Sequence, residues 1–138
     1  MTELHTGACH CGAVRFHVRL SDGLSTARRC TCSYCTLRGA VAVSAPLDGL
    51  VFLCGADTLT LYQWGTRTAK HWFCKTCGIY THHQRRSNPN ELGINLACLD
   101  GVTPWDLPAI AVNDGVNHPS DGAPARIDGI LRFERAPR

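Results

Sequence analysis

Three cysteines stand within six positions of the sequence, in the stretch RRCTCSYCTLRG at residues 28–39. Cys30, Cys32 and Cys35 form a CxCxxC pattern, which brings three sulfur atoms close together. Thiolate sulfurs are ligands that Zn²⁺ favours, and a zinc site normally has four ligands. A group of three leaves one position for water or a substrate atom, and the metal lowers the pKa of that ligand. The stretch therefore predicts an incomplete zinc site, as in catalytic centres.

Four further cysteines form two pairs that are separated by 62 residues. Cys9 and Cys11 are a CxC pair, Cys74 and Cys77 are a CxxC pair, and each pair is followed by a glycine that allows a sharp turn. Together they can supply a complete, structural zinc site, whose sulfurs must lie less than about 4 Å apart. The alternatives are two disulfides or four unrelated buried thiols. A disulfide within either pair would be strained or redox-active, so we favour zinc.

Arginines lie beside the central cysteines and in a later polar stretch, HHQRRSNPN at residues 82–90. Arg28, Arg29 and Arg38 can offset the charge of three thiolates on Zn²⁺; alternatively they are ordinary solvated surface. Arg85 and Arg86 can hold carboxylates through paired hydrogen bonds, or belong to a solvated turn. We take three of these arginines as candidate substrate-binding residues: Arg28, Arg85 and Arg86.

Two cysteines remain outside the three groups. Cys54 and Cys98 both lie in apolar strand patterns, and cysteine is among the most buried residue types, so we expect both in the core. Either can still be the fourth ligand of the central group, as can His71, His82 or His83. Because adjacent residues of a strand point to opposite faces, at most one of His82 and His83 can face a given pocket.

The elements that must position these residues are short apolar runs separated by turn residues. The clearest is AVRFHVRL at 13–20, in which apolar and polar residues alternate as in a half-buried strand. Further strands are predicted at 40–45, 50–54, 58–64, 70–74, 79–84 and 93–99. No segment has a sustained helical period, so the sequence predicts an all-β fold.

The last part of the chain differs in composition. Residues 114–129 read DGVNHPSDGAPARIDG, and their prolines and glycines indicate an extended loop or arm. The closing stretch ILRFER is either one more strand or an exposed end. A length of 138 residues fits one domain, so we predict a single domain over residues 1–138, with 114–138 as its loop or arm.

Composition argues against several classes of function. The net charge is only +3 and the arginines are dispersed, which is unlike a nucleic-acid arm or a polybasic membrane patch. The chain has neither a signal-peptide pattern nor an apolar run of the roughly 18 residues that a membrane span needs. We expect a soluble cytoplasmic protein whose nine cysteines stay reduced, which favours metal over disulfides. Trp64, Trp72 and Trp105 are expected in the core or at its rim rather than as a nucleic-acid platform.

The order of the cysteine groups resembles the glutathione-dependent formaldehyde-activating enzyme family, which also includes centromere protein V. The motifs that carry the resemblance are GACHCGAVRF at 7–16, RRCTCSYC at 28–35, KHWFCKTCGIY at 70–80 and LACLDG at 96–101, within about residues 5–113. The resemblance implies a β-tent of small packed antiparallel sheets and two zinc ions. It places a structural zinc on Cys9, Cys11, Cys74 and Cys77, and a catalytic zinc on Cys30, Cys32 and Cys35.

The resemblance also implies an activity. In this family a glutathione thiol meets the second zinc and adds to formaldehyde, giving S-hydroxymethylglutathione, so the implied protein is a carbon–sulfur lyase or synthase with a small-thiol partner. Two other hypotheses stay open, a non-enzymatic zinc module and a thiol redox switch. The first is favoured if Cys54 or Cys98 completes the central site, the second if mild peroxide releases zinc reversibly. The sequence leaves the oligomeric state open.

Overall fold

The structure is a computed structural model that describes residues 4–138, and short β-strands dominate it. The described strands are β1 (Leu4–Ala8), β2 (Arg15–Arg19), β3 (Arg28–Cys30), β4 (Ala42–Pro46), β5 (Leu50–Cys54), β6 (Leu59–Tyr62), β7 (Lys70–Cys74), β8 (Tyr80–Gln84), β9 (Glu91–Asn95), β10 (Ala109–Asn113) and β11 (Ile127–Arg132). A short helix, α1 (Ser33–Arg38), lies between β3 and β4. Single 3₁₀ turns occupy Leu47–Gly49, Ala56–Thr58, Leu96–Cys98, Pro104–Asp106 and Pro119–Asp121. The predicted all-β class is confirmed.

The strands form two sheets. The smaller has three strands in the order β1-β2-β5, and the larger has eight in the order β11-β10-β3-β4-β9-β8-β7-β6. Neighbouring strands are antiparallel, except that β10 runs parallel to β3. The two sheets fit the β-tent that the resemblance implies, although the larger sheet is wide and contains this one parallel pair.

The hydrophobic core joins the two sheets. Phe16 and Val18 of β2 belong to one buried cluster with Val43 of β4 and Ile94 of β9, each at most 1% exposed. The alternation in AVRFHVRL is thereby confirmed, because the inward side chains of β2 are buried while its terminal arginines are exposed. Burial of this apolar surface is the main force that holds the sheets together.

Several elements differ from the sequence prediction. The run at 93–99 stops being a strand at Asn95, because the Asn95 side chain accepts a hydrogen bond from the Ala97 N–H at 3.1 Å and begins a 3₁₀ turn. Strands β1, β3 and β10 have no predicted counterpart. β3 has only three residues, too few to show an alternating pattern, and it is fixed by its neighbours β4 and β10.

The expectation that Cys54 lies in the core is wrong. Cys54 is exposed at the end of β5, where its thiol donates a hydrogen bond to the Ala13 carbonyl at 3.7 Å. β5 is an edge strand of the smaller sheet, and Val51 and Leu53 are likewise exposed, so an apolar run here does not mean burial. Cys98, by contrast, is buried in the core as expected.

The C-terminal segment supplies the edge strand of the larger sheet. Residues 114–126 form a loop with one 3₁₀ turn, and the stretch that follows adds β11 beside β10. All six residues of β11 are exposed. Within residues 4–138, no helix has the length and apolar character needed to cross a membrane.

Candidate metal centres and substrate cleft

Two matching turns bring the first four cysteines together. In the β1–β2 turn the Gly12 N–H donates to the Cys9 carbonyl at 3.2 Å, and in the β7–β8 turn the Gly78 N–H donates to the Cys74 carbonyl at 2.8 Å. Gly12 and Gly78 have φ angles of +80° and +77°, a conformation that favours glycine. The glycines after the two cysteine pairs therefore have the conformation that their positions predict.

The first group has the spacing of a tetrahedral thiolate site. The Sγ atoms of Cys9, Cys11, Cys74 and Cys77 lie within 4.8 Å of one another. The Cys9–Cys11 and Cys11–Cys74 sulfur separations are 3.6 and 3.7 Å, close to the roughly 3.8 Å between sulfurs bound at about 2.3 Å to one tetrahedral ion. These distances exclude a disulfide, and all nine cysteines are free.

Backbone N–H groups point at these sulfurs. Val14 donates to Cys9 Sγ at 3.3 Å and Thr76 donates to Cys74 Sγ at 3.4 Å, which stabilises the thiolate form that a metal requires. Cys9 and Cys74 are buried, whereas Cys11 lies at the surface. The donor set, the spacing and the N–H groups all fit a zinc ion, and the site joins a turn of the smaller sheet to a turn of the larger one.

The central group is built by the end of β3 and the start of α1. The Sγ atoms of Cys30, Cys32 and Cys35 also lie within 4.8 Å of one another. Cys32 is the N-cap of α1, and its sulfur accepts a hydrogen bond from the Cys35 N–H at 3.4 Å; Cys30 Sγ accepts one from the Cys32 N–H at 3.4 Å. Hydrogen bonds from the Cys30 and Cys35 thiols and from the backbone lower the pKa of Cys32.

The helix that carries Cys35 is not apparent in the sequence because it is too short for a hydrophobic period. α1 has six residues and none of them is buried. Its ends are specified instead by the Cys32 side chain at the N-terminus and by Gly39 in the left-handed conformation at the C-terminus. The helix therefore begins at a cysteine of the CxCxxC motif and does not depend on packing an apolar face.

Within residues 4–138 no fourth histidine, cysteine or acidic side chain joins the central group. Cys54 is exposed in the smaller sheet, and the Cys98 thiol donates to the Tyr80 carbonyl at 3.6 Å. His82 points away and stacks on Trp72 with ring centroids 4.8 Å apart, while His71 and His83 face the cleft. The expectation that only one of His82 and His83 can face a pocket is therefore confirmed.

The central cysteines open into a cleft of about 1090 Å³. Its walls carry six arginines but only two acidic residues, Asp114 and Asp121, so it is suited to an anionic ligand. The arginines are Arg28, Arg29, Arg38, Arg85, Arg86 and Arg126. All three predicted substrate-binding arginines thus line the same cleft as the central cysteines, and Trp64 lies at its wall.

Arg38 links the central thiols to the floor of the cleft. Its guanidinium donates to Cys35 Sγ at 3.4 Å, hydrogen-bonds with His71 Nδ1 at 3.0 Å and lies 3.8 Å from the centre of the Tyr80 ring. Burial opposes the charge of Arg38, but Tyr80 and Cys35 raise its pKa above the ordinary value. Burial and the nearby Arg38 lower the pKa of His71 to about 4, so His71 is neutral at pH 7 and its Nδ1 accepts from the guanidinium.

The three candidate substrate-binding arginines are held by partners within the chain. Arg28 donates to Ser44 Oγ at 2.7 Å, and burial together with the charge of Arg85 lowers its pKa to about 10. Arg85 pairs with Glu91 beside the cleft. Arg86 forms a two-point ion pair with Asp121 of the C-terminal loop.

The C-terminal loop, residues 114–126, is a wall of the cleft that the sequence did not predict. The Gly115 N–H donates to Thr31 Oγ1 at 3.0 Å, and the Asn113 carbonyl accepts from the Thr31 N–H at 3.1 Å. A Cβ on Gly115 would lie only 2.2 Å from Cys30 Sγ, so the loop backbone packs directly on the central group. Composition marks this segment as a loop, but no local motif indicates that it returns to the cysteines.

An all-β scaffold with one cluster of four thiols and one of three defines a class of protein that can bind metal through cysteine. Residues 4–111 match the family described as "Glutathione-dependent formaldehyde-activating enzyme". The chain belongs to this family. All seven clustered cysteines lie within the matched residues, whereas the C-terminal loop lies beyond them.

The chain is also similar to a solved structure, the crystal structure of a Rhodobacter sphaeroides protein. The two sequences are 61% identical and the TM-score is 0.76, over 78% of this chain and 98% of the other.

Proposed function

We propose that this protein is a zinc-dependent carbon–sulfur lyase or synthase that joins a small thiol such as glutathione to formaldehyde. The observation that carries the proposal is a three-thiol group without a fourth ligand in residues 4–138, at the wall of a cleft rich in arginine. Membership of a glutathione-dependent family supports the thiol and the electrophile. The alternative of a non-enzymatic zinc module loses support, because neither Cys54 nor Cys98 joins the central group.

In this proposal Cys30, Cys32 and Cys35 hold a zinc ion with an exchangeable position, and the first group holds a structural zinc. A zinc ion bound to the central group would lower the pKa of a thiol that reaches it. The donor chemistry of both groups fits zinc better than magnesium or calcium, which prefer oxygen ligands.

The arginines of the cleft are suited to the two carboxylates of glutathione. Arg28 keeps its positive charge at neutral pH even with its pKa lowered to about 10, and it lies near Arg85. Arg86 is held in place by Asp121, which reduces the entropy cost of ordering its side chain when a ligand binds. We propose Arg28, Arg85 and Arg86 as the residues that bind the carboxylates and thereby orient the thiol towards the central cysteines.

The reaction forms one carbon–sulfur bond. The thiol sulfur adds to the carbonyl carbon, the π electrons of the C=O bond move to oxygen, and the proton lost by the thiol ends on that oxygen. No oxidant or reductant is consumed. Arg38 contributes positive charge beside Cys35, which favours the thiolate form of the group.

The proposed location is the cytoplasm. Nine free cysteines need a reducing compartment if they are to remain thiols, and the cytoplasm keeps them reduced.

The experiment that tests the activity is exchange NMR with ¹³C-labelled formaldehyde and glutathione, which measures how fast the adduct forms and breaks. The native protein is expected to accelerate exchange over the uncatalysed rate. Cys32→Ser is expected to lose at least about a hundredfold of that acceleration, since Lewis-acid catalysis supplies several kcal/mol. Cys54→Ser is the matched control, because Cys54 is an exposed cysteine outside both groups.

Zinc content and folding complete this test. We expect Cys32→Ser to lose one zinc of two and stay folded, while Cys74→Ser, which breaks the site joining the sheets, unfolds. A native protein that holds two zinc ions yet leaves the exchange rate unchanged would contradict the proposed activity.

A further inference from the structure

The edge strand β11 presents an unusual surface. It pairs with β10 on one side and has no partner strand on the other among residues 4–138. Ile127 is 62% exposed, Ile130 57% and Leu131 47%, although large aliphatic side chains on an edge invite association with another strand. Phe133, just after β11, is 40% exposed and packs near Trp105 with ring centroids 6.0 Å apart.

The backbone of β11 determines which residues can bond to a new strand. The Phe133 N–H donates to the Pro108 carbonyl at 3.1 Å, and Leu131 lies opposite Ile110. In an antiparallel ladder the bonded positions alternate, so Phe133 and Leu131 are directed at β10. The N–H and C=O groups of Ile130 and Arg132 therefore face the free edge.

We propose that two copies of this chain associate through β11, by antiparallel pairing about a two-fold axis at Ile130. Ile130 then lies opposite Ile130 of the second copy. Arg132 of each copy lies opposite Asp128 of the other, which gives two symmetry-related charge pairs. Opposite charges facing one another across strands stabilise such a pair, and like charges destabilise it. A two-fold axis makes the interface self-complementary and closes it at two copies.

Charge selects this register over its neighbours. Moving the axis one residue towards the C-terminus puts Asp128 opposite Glu134, and moving it one residue towards the N-terminus puts Arg132 opposite Arg126; both are repulsive. Arg126 already binds one oxygen of Asp128 at 2.9 Å, which leaves the second oxygen for Arg132 of the other copy. Arg132 itself has no acidic partner among residues 4–138.

The opposite face of the strand also fits this register. There Leu131 lies opposite Gly129 of the second copy. A bulge at Asp128 interrupts the pairing of β11 with β10, so the regular alternation that places Asp128 at the free edge does not extend to Ile127. Nothing lies within 4 Å of the position that a Cβ on Gly129 would take, so there is room for the leucine side chain. The paired strands begin directly after Arg126 and beside the cleft wall, so association would also brace the C-terminal loop.

On the proposed two-fold axis, Ile130 is the residue of β11 that lies opposite the same residue of the second copy, and the test uses this property. The native full-length protein is expected to sediment at twice its mass of 15.0 kDa. Ile130→Lys alone and Ile130→Glu alone are each expected to weaken association at least about tenfold, whereas an equimolar mixture of the two is expected to restore it. Because Ile130 is exposed in the single chain, circular dichroism and zinc content should match the native protein.

Val51→Lys is the matched control, since Val51 is an exposed aliphatic residue on the edge strand of the other sheet. It should associate as the native protein does. The proposal is overturned if the native protein stays monomeric up to about millimolar concentration, if Ile130→Lys still associates, or if the lysine and glutamate variants fail to associate when mixed. Capture of a different protein by a monomeric native chain would likewise contradict it. None of these outcomes depends on the activity of the cleft.

Discussion

At the scale of single residues, Arg38 has the most specific environment in the cleft. One guanidinium meets the Cys35 sulfur, the neutral ring of His71 and the face of Tyr80. A planar, permanently charged group can satisfy all three at once, and a lysine cannot. The Cys30 and Cys32 thiols and burial raise the pKa of Cys35, and the charge of Arg38 acts against this rise. The role that follows for Arg38 is to favour the thiolate form of Cys35 and thereby to strengthen metal binding by the central group.

We predict that Arg38→Met weakens zinc binding at the central group by roughly tenfold to a hundredfold. The variant removes a hydrogen bond to a charged sulfur, an interaction worth about 1.5–3 kcal/mol. Competition with a chromophoric chelator measures the affinity of each site.

Arg29→Met is the control, because Arg29 also lines the cleft while Arg38 supplies the arginine contact to a central sulfur. Equal loss of affinity in both variants would show that general positive charge matters rather than the Arg38 contact. Affinity at the first group should not change in either variant.

Single residues are also where sequence reasoning succeeded best. The spacing of Cys9, Cys11, Cys74 and Cys77 predicts a four-sulfur cluster, and the structure brings those sulfurs together. Ligand spacing is local within each pair, so the sequence contains it. The burial of Cys54 was mispredicted because an apolar run does not reveal that its strand lies at the edge of a sheet.

At the scale of elements, the C-terminal loop is the part of the cleft that lies beyond the family match. It packs its backbone on Cys30 at Gly115 and binds Arg86 through Asp121. Nothing in its sequence predicts this, since both contacts join residues more than thirty positions apart and depend on the parallel pairing of β3 and β10. Local patterns cannot encode such long-range contacts.

We predict that Gly115→Ala lowers zinc occupancy of the central group while the first group keeps its metal. The added methyl group would lie 2.2 Å from Cys30 Sγ, so either the loop or the sulfur must move. Metal analysis together with the exchange rate measures the effect.

Val116→Ala, a change in the same loop at a residue that is 71% exposed, is the control and should behave as the native protein does. If the central group of Gly115→Ala keeps its full zinc occupancy, the loop can move to accept the methyl group, and its packing does not support the site.

At the scale of the whole molecule, the two cysteine groups have different places in the architecture. The first group joins turns of the two sheets, next to the core that lies between them. The central group lies where β3 of the larger sheet ends and α1 begins, and it lines the cleft. This arrangement supports the proposal that the first group stabilises the fold and that the central group binds the substrate thiol.

In the proposed function, the fourth position at Cys30, Cys32 and Cys35 is exchangeable and is filled by a substrate thiol. The direct measurement is a titration of glutathione into Co²⁺-substituted protein, followed by the thiolate-to-metal absorption band, with Cys32→Ser as the control. We predict that the band grows with glutathione to saturation at one equivalent in the native protein, and does not respond in the variant. A native spectrum that already shows two four-thiolate sites and does not change with glutathione would contradict an exchangeable fourth position.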